Sequence, residues 1–193
     1  LHISAARRLG MPTRNLAGGR GFVIRTYHGG IPVNIDDFAD QRPLFVLENF
    51  FSGSLRGWGV TLSRMGNLQN RFTIDAEGRY DASANTLSLK ETYAFEDGHR
   101  DILTWTIINR GEGRYEGRET LIDGTADGRQ SGNAFQWKYQ REVPSADGSK
   151  TKFGFNDWFF LHDENHMTVL WKNIRKGCTS SPSGRNSTMR VSG

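Results

Sequence analysis

A strict two-residue hydrophobic period restricts this chain more than any other feature. Between residues 133 and 140, Asn133, Phe135, Trp137 and Tyr139 fall on one side of an extended chain, and Ala134, Gln136, Lys138 and Gln140 on the other. Successive side chains of a strand point to opposite faces, so such a segment belongs in a sheet with one buried face and not in an amphipathic helix. Phe72, Ile74, Ala76, Gly78 and Tyr80 alternate in the same way with Thr73, Asp75, Glu77 and Arg79. Leu87, Leu89, Tyr93 and Phe95 define a third apolar face, and Glu91 sits among them. Further runs over 55–63, 102–109, 114–122, 152–161 and 166–174 bring the expected number of strands to about eight.

Turn-forming residues separate these runs: Met65-Gly66-Asn67, Ser83-Ala84-Asn85, Asp97-Gly98, Gly111-Glu112-Gly113, Asp127-Gly128, 144–148 and Asp163-Glu164-Asn165. Gly, Asn and Asp accept a positive φ or bond their own backbone, as tight hairpins require. The short links predict an antiparallel meander. Helix punctuation occurs once in this part of the chain, over 43–51, with Pro43 at its start and Gly53 just past its end. That short N-terminal helix is expected to plug one end of the sheet. Consecutive strands with one apolar face close most economically into an up-and-down barrel, because closure removes unpaired edges. The expected fold class is therefore all-β, an antiparallel barrel with room for one small ligand.

The 193 residues suffice for one such core. The net charge of +4 is distributed unevenly: +3 over 1–42, −4 over 43–171 and +5 over 172–193. The folded stretch is mildly acidic, which argues against nucleic acid as a partner and leaves only the basic ends for peripheral contact with an anionic surface. Residues 1–42 show no clear period and are expected to form a poorly ordered extension; 43–177 form the barrel domain. The stretch 178–193, rich in Ser, Gly and Thr, is expected to be a disordered polar tail. No apolar run is long enough for a spanning helix, and residues 1–40 show no secretory-signal pattern. The single Cys178 excludes an intrachain disulfide framework and a multi-cysteine zinc site.

Alternation also identifies the polar residues that share the apolar face: Glu91, Glu119, Asn133, Arg141 and Asp157. An unpaired buried charge costs several kcal/mol. These groups therefore either form an interior ion-pair network centred on Arg141 or face a cavity. In the cavity reading they bind a ligand's head group together with Tyr93 and Tyr139, while Trp105, Trp137 and the Phe residues enclose its apolar part. A third reading makes Glu91 and Asp157 acid and base catalysts. A barrel filled by its own Trp and Phe side chains would instead be a structural accessory. His162-Asp163-Glu164-Asn165-His166 reads as a hairpin turn, since the zincin pattern needs Glu directly after the first His on a helix. Gly111-x-Gly113-x-x-x-Gly117 misses the dinucleotide fingerprint and reads as a turn.

The same residues carry a resemblance over 50–177. Phe50-Phe51-Ser52-Gly53 followed by Trp58-Gly59, Leu87, Leu89, Glu91 and Tyr93 with Asp97-Gly98, Tyr115-x-Gly117, Gly132-Asn133-Ala134-x-x-Trp137-x-Tyr139 and Asp157-Trp158 are similar to the bacterial family catalogued as domain of unknown function 3833. The resemblance implies a lipocalin-like β-barrel and a lipid-related role. Members are often predicted lipoproteins, which implies the periplasmic side of the bacterial cell envelope. The chain departs from the family where a polar tail follows Lys176-Gly177 in place of a final apolar strand, and where Leu121 replaces an acidic residue. No lipid-bearing Cys is legible near its start, and Cys178 stands at the other end. The expected function is non-enzymatic binding or carriage of a small hydrophobic or lipid-like molecule, with no cofactor and no metal; an enzyme acting on a lipid-like substrate is the alternative.

Overall fold

The computed structural model describes residues 33–63, 65–144, 150–175 and 185–188. Its strands are β1 (Gly53–Leu62), β2 (Leu68–Asp81), β3 (Thr86–Phe95), β4 (Arg100–Gly111), β5 (Arg114–Arg118), β6 (Ala126–Ser131), β7 (Ala134–Pro144), β8 (Lys150–Leu161), β9 (Met167–Arg175) and the short β10 (Arg185–Thr188). They form one antiparallel sheet in chain order, the expected meander, curled into a lipocalin-like half-barrel. The four-residue β10 pairs with residues 170–173 and runs beside β1. A 3-10 helix, Ile35–Phe38, and a one-turn helix α1, Leu47–Phe51, precede the sheet. Among the described residues no helix is long and apolar enough to cross a membrane.

Several sequence expectations are corrected. The segment 126–131 has no bulky alternation, and Asp127-Gly128 reads as a turn, yet it forms β6 and places Gly128 opposite Tyr115 and Trp137. The missing apolar signal has a physical cause: a side chain at Gly128 would overlap the Trp137 ring, and so would one at Gly117 on β5. The strand expected over 114–122 stops at Arg118, because the Glu119 carboxylate accepts the Leu121 N–H at 2.8 Å and the Thr120 hydroxyl at 2.9 Å, turning the chain. The helix expected over 43–51 begins only at Leu47. Before it, Phe45 is outside the helix, fully buried, and held by its N–H on the Gly132 carbonyl at 2.8 Å.

The two ends also differ from expectation. Residues 1–32, and most of the stretch expected as a polar tail, lie outside the described residues. Within the expected N-terminal extension, however, Asn34 caps the 3-10 helix. Ile35 is 2% exposed against Ala134 and Trp158, while Phe38 packs on Trp158 and Phe160. This small outer core covers the face of β7 and β8 that points away from the barrel. It lets Trp158 and Asp157, adjacent in sequence and on opposite faces, both be buried. Within the tail, Arg185–Thr188 are in β10.

The main core lies inside the curl, where α1 plugs one end with Leu47, Phe50 and Phe51. The Glu48 carboxylate holds the plug in place, accepting from Asn109 Nδ2 at 2.8 Å and from the Tyr115 hydroxyl at 2.9 Å. The last turn fits because position 78 is glycine: a methyl there would overlap the Phe51 carbonyl oxygen. Gly78→Ala is therefore expected to lower stability by about 1–3 kcal/mol, as overpacking does in tight cores. Ser88→Ala on the exposed face of β3 should stay within about 0.5 kcal/mol of the parent. Urea denaturation of both variants checks this.

Candidate functional site

The interior is not filled. A cavity of about 290 Å³ lies inside the sheet and is bounded at one end by Leu47 and Phe51 of α1. Most of its wall is apolar, from Leu55, Phe72, Ile74, Ala76, Leu89, Trp105, Ile107, Phe135, Trp137, Phe159 and Met167 among others. Its polar part includes the group that alternation places inward, Glu91, Tyr93, Tyr139, Arg141 and Asp157, together with Asp101 at the start of β4 and Arg56 and Thr61 of β1.

Strand register sets the height of each group. Gly78, beneath the plug, pairs with Leu89; one inward step further from α1, Ala76 pairs with Glu91, and Ile74 with Tyr93. On the opposite wall Phe135 lies nearest the plug, Trp137 pairs with Asp157, and Tyr139 with Phe155. Arg141 lies furthest out, paired with Phe153 and bridged to Ile122. Polar character therefore increases with distance from α1.

The carboxylates are met by aromatic donors. The Tyr93 hydroxyl donates to Glu91 Oε2 at 3.4 Å, and the Tyr139 hydroxyl to Asp157 Oδ2 at 2.9 Å. The Trp105 indole N–H lies near enough to Glu91 to favour its ionised form. Burial pushes the Glu91 carboxyl up to about 7, with the donors of Trp105 and Tyr93 opposing the rise and the nearby Glu119 charge adding to it. Burial and the neighbouring carboxylates push both Tyr93 and Tyr139 well above the ordinary phenol range, so both remain donors. Glu91 is enclosed by protein yet only half-buried; it points inward, so the surface it keeps faces the cavity.

Seven of the nine sequence candidates line this cavity: Glu91, Tyr93, Trp105, Trp137, Tyr139, Arg141 and Asp157. Glu119 and Asn133 do not. Glu119 turns the chain after β5 and reaches Glu91 only through its charge, and Leu121, two residues on from Glu119 in the expected strand 114–122, is 49% exposed. Asn133 sits in the β6–β7 turn and donates to the Leu161 carbonyl at 3.1 Å. The interior ion-pair network centred on Arg141 is not formed, since Arg141 makes no ion pair among the described residues. Sequence reading missed Trp171, which stacks on Phe72 with centroids 6.2 Å apart, and Asp101. Continuing the alternation from Met167 and Val169 finds the first; from Trp105 and Leu103 it finds the second. The stretch 162–166 is the β8–β9 hairpin turn, closed by the His162 N–H on the His166 carbonyl.

An acid whose pKa is raised by folding favours the folded state while protonated and loses that advantage as it ionises. The contribution of Glu91 is thus fully present below about 4.5 and disappears as pH rises through about 7. Ionised Glu91 costs the fold about 3 kcal/mol at pH 8. Glu91→Gln is expected to raise the melting temperature relative to the parent at pH 8 and to leave it unchanged at pH 4.5. Paired thermal melts at the two pH values test the sign, and equal shifts at both would contradict it.

No curated protein and no solved structure matches the chain. The family described as Protein of unknown function (DUF3833) matches residues 26–173, a span that begins before the 3-10 helix and ends inside β9. That span covers well over half of the chain, which therefore belongs to this family.

Proposed function

We propose that this protein binds a small hydrophobic or lipid-like molecule inside its sheet, without chemical conversion. The observation that carries this reading is the cavity of about 290 Å³, which is apolar next to α1 and polar away from it. Pockets for small ligands are concave and mostly apolar, with a few converging polar groups. At roughly 30 Å³ per non-hydrogen atom, this one encloses roughly ten such atoms. That corresponds to a short alkyl chain with its head group, or to the leading part of a longer one.

Trp105, Trp137 and Trp171 in the wall provide a direct signal. Titration with 1-octanol is expected to change tryptophan fluorescence saturably. Ala76→Leu, which adds three carbons to the cavity wall, should weaken that binding about tenfold or more while the protein still melts cooperatively. A folded protein indifferent to octanol, and carrying no adduct by native mass spectrometry after exposure to a bacterial lipid extract, would contradict the proposal. A second reading, acid–base catalysis on a lipid-like substrate by Glu91 and Asp157, draws on the Glu91 carboxyl near neutrality. Ester, isomerase or hydratase turnover lost in both Glu91→Gln and Asp157→Asn would favour it over carriage.

A further inference from the structure

We infer that the cavity holds its ligand's head group as a carboxylate on the Arg141 guanidinium, so that the molecule bound is a monocarboxylic acid with an alkyl chain. The inference rests on the binding reading above and specifies the ligand's chemistry. It follows from which charged groups of the wall already have a partner. Those groups are Arg56, Glu91, Asp101, Arg141 and Asp157. Arg56 pairs with Asp75 at 2.9 Å, and the His99 ring meets Asp101 at 3.0 Å. Glu91 accepts from the Tyr93 hydroxyl at 3.4 Å; Asp157 accepts from Tyr139 at 2.9 Å and has a further partner besides. Arg141 makes no ion pair among the described residues, so its charge is the one in the wall still to be met.

The position of Arg141 suits a head group. It is the inward residue of β7 furthest from α1, paired with Phe153 and half-buried, and its charge acts on the Tyr139 hydroxyl. A cation partly withdrawn from water gains more from an anion than a fully exposed one does. The guanidinium is a planar fork of N–H donors that matches the two oxygens of a carboxylate. An ammonium beside it would meet like charge, and a hydroxyl would leave its charge unanswered. The number of charges matters too. One cation is left to be met, and Glu91 and Asp157 in the same wall oppose a second negative charge, so a monoanion fits better than a doubly charged phosphate. With its head at Arg141, the ligand's alkyl chain runs inward past Tyr139 and Trp137 to Phe135, the next inward residues of the same strand, and so reaches the apolar wall below the plug.

The test compares four probes that share one chain, octanoate, 1-octanol, octylamine and octyl phosphate, by tryptophan fluorescence on the full chain. It is made at pH 6, where Glu91 is mostly protonated and octanoate is ionised. Octanoate is expected to bind about tenfold or more tightly than octanol or octylamine, and at least as tightly as octyl phosphate. In Arg141→Gln the affinity for octanoate should fall to that for octanol, with octanol binding retained as the control for an intact cavity. Arg141→Lys keeps the charge and loses the fork, so it should weaken octanoate by less than Arg141→Gln does and leave octanol unchanged. Octanol or octylamine binding as tightly as octanoate, octyl phosphate binding more tightly, or a preference for octanoate that survives Arg141→Gln overturns the carboxylate inference and leaves the binding reading standing. Failure of all four to bind the folded protein overturns the binding reading itself.

Discussion

The Trp137 ring lies where side chains at Gly117 and Gly128 would otherwise be, and the arrangement of the site depends on that packing. With two neighbouring strands bare at those positions, the indole lies against the wall and does not cross the cavity. Its edge meets Trp105 at 5.8 Å; Trp105 in turn contacts Tyr139 and lies near Glu91, and Tyr139 bonds Asp157. A chain of aromatic contacts thus runs from two glycines to both carboxylates. The glycines act through what they omit, so a sequence pattern of apolar residues undervalues them and β6 is invisible to it.

Glu91 works against the stability of the fold that holds it. A glutamine of the same shape could take the same hydrogen bonds without an ionisation cost, and an apolar residue could pack against Leu89 and Ile74. Natural proteins tolerate such a residue where binding or chemistry needs it and the rest of the structure holds it in place. Here the support is visible: Tyr93, two residues along the same strand, donates to the carboxyl, and Trp105 of the neighbouring strand lies near it. A carboxyl half-ionised near neutrality and facing an enclosed space has the properties of a binding group, and none of the properties of a packing residue.

The sequence made the sheet legible wherever a strand has one wet and one dry face, because alternation then fixes both the strand and the direction of every side chain. β2, β3, β4 and β7 are of this kind, and six of the seven candidates that line the cavity lie on them. Legibility fails where the buried face is built from small residues, as in β6, or where a side chain ends a strand by bonding its own backbone, as Glu119 does. It also fails where local punctuation competes with a tertiary bond. Pro43 suggests a helix start, but the Gly132 carbonyl takes the Phe45 N–H, and the helix begins two residues later. The outer core on Trp158 is a fourth case, since a strand that is covered on both faces loses the polar half of its alternation.

Orientation within the cavity follows from the position of the plug. Burial of one large apolar side chain is worth about 1.5–3 kcal/mol, and α1 with the two residues before it buries Phe45, Leu47, Phe50 and Phe51 while Glu48 bonds Asn109 and Tyr115. Withdrawing the helix would give up all of these together, so the plugged end stays shut at equilibrium. The wall beside it is apolar, and the carboxylates begin one register step further away. A molecule with one polar end therefore gains by pointing its apolar end at α1 and leaving its head at the level of Glu91 and Asp157. The reverse orientation would strand the head among Leu47, Phe51 and Ile107, which offer it no polar side chain. The asymmetry arises from the chain's order: the helix that closes one end comes just before β1, and the residues that give the cavity its charge all lie on the strands that follow.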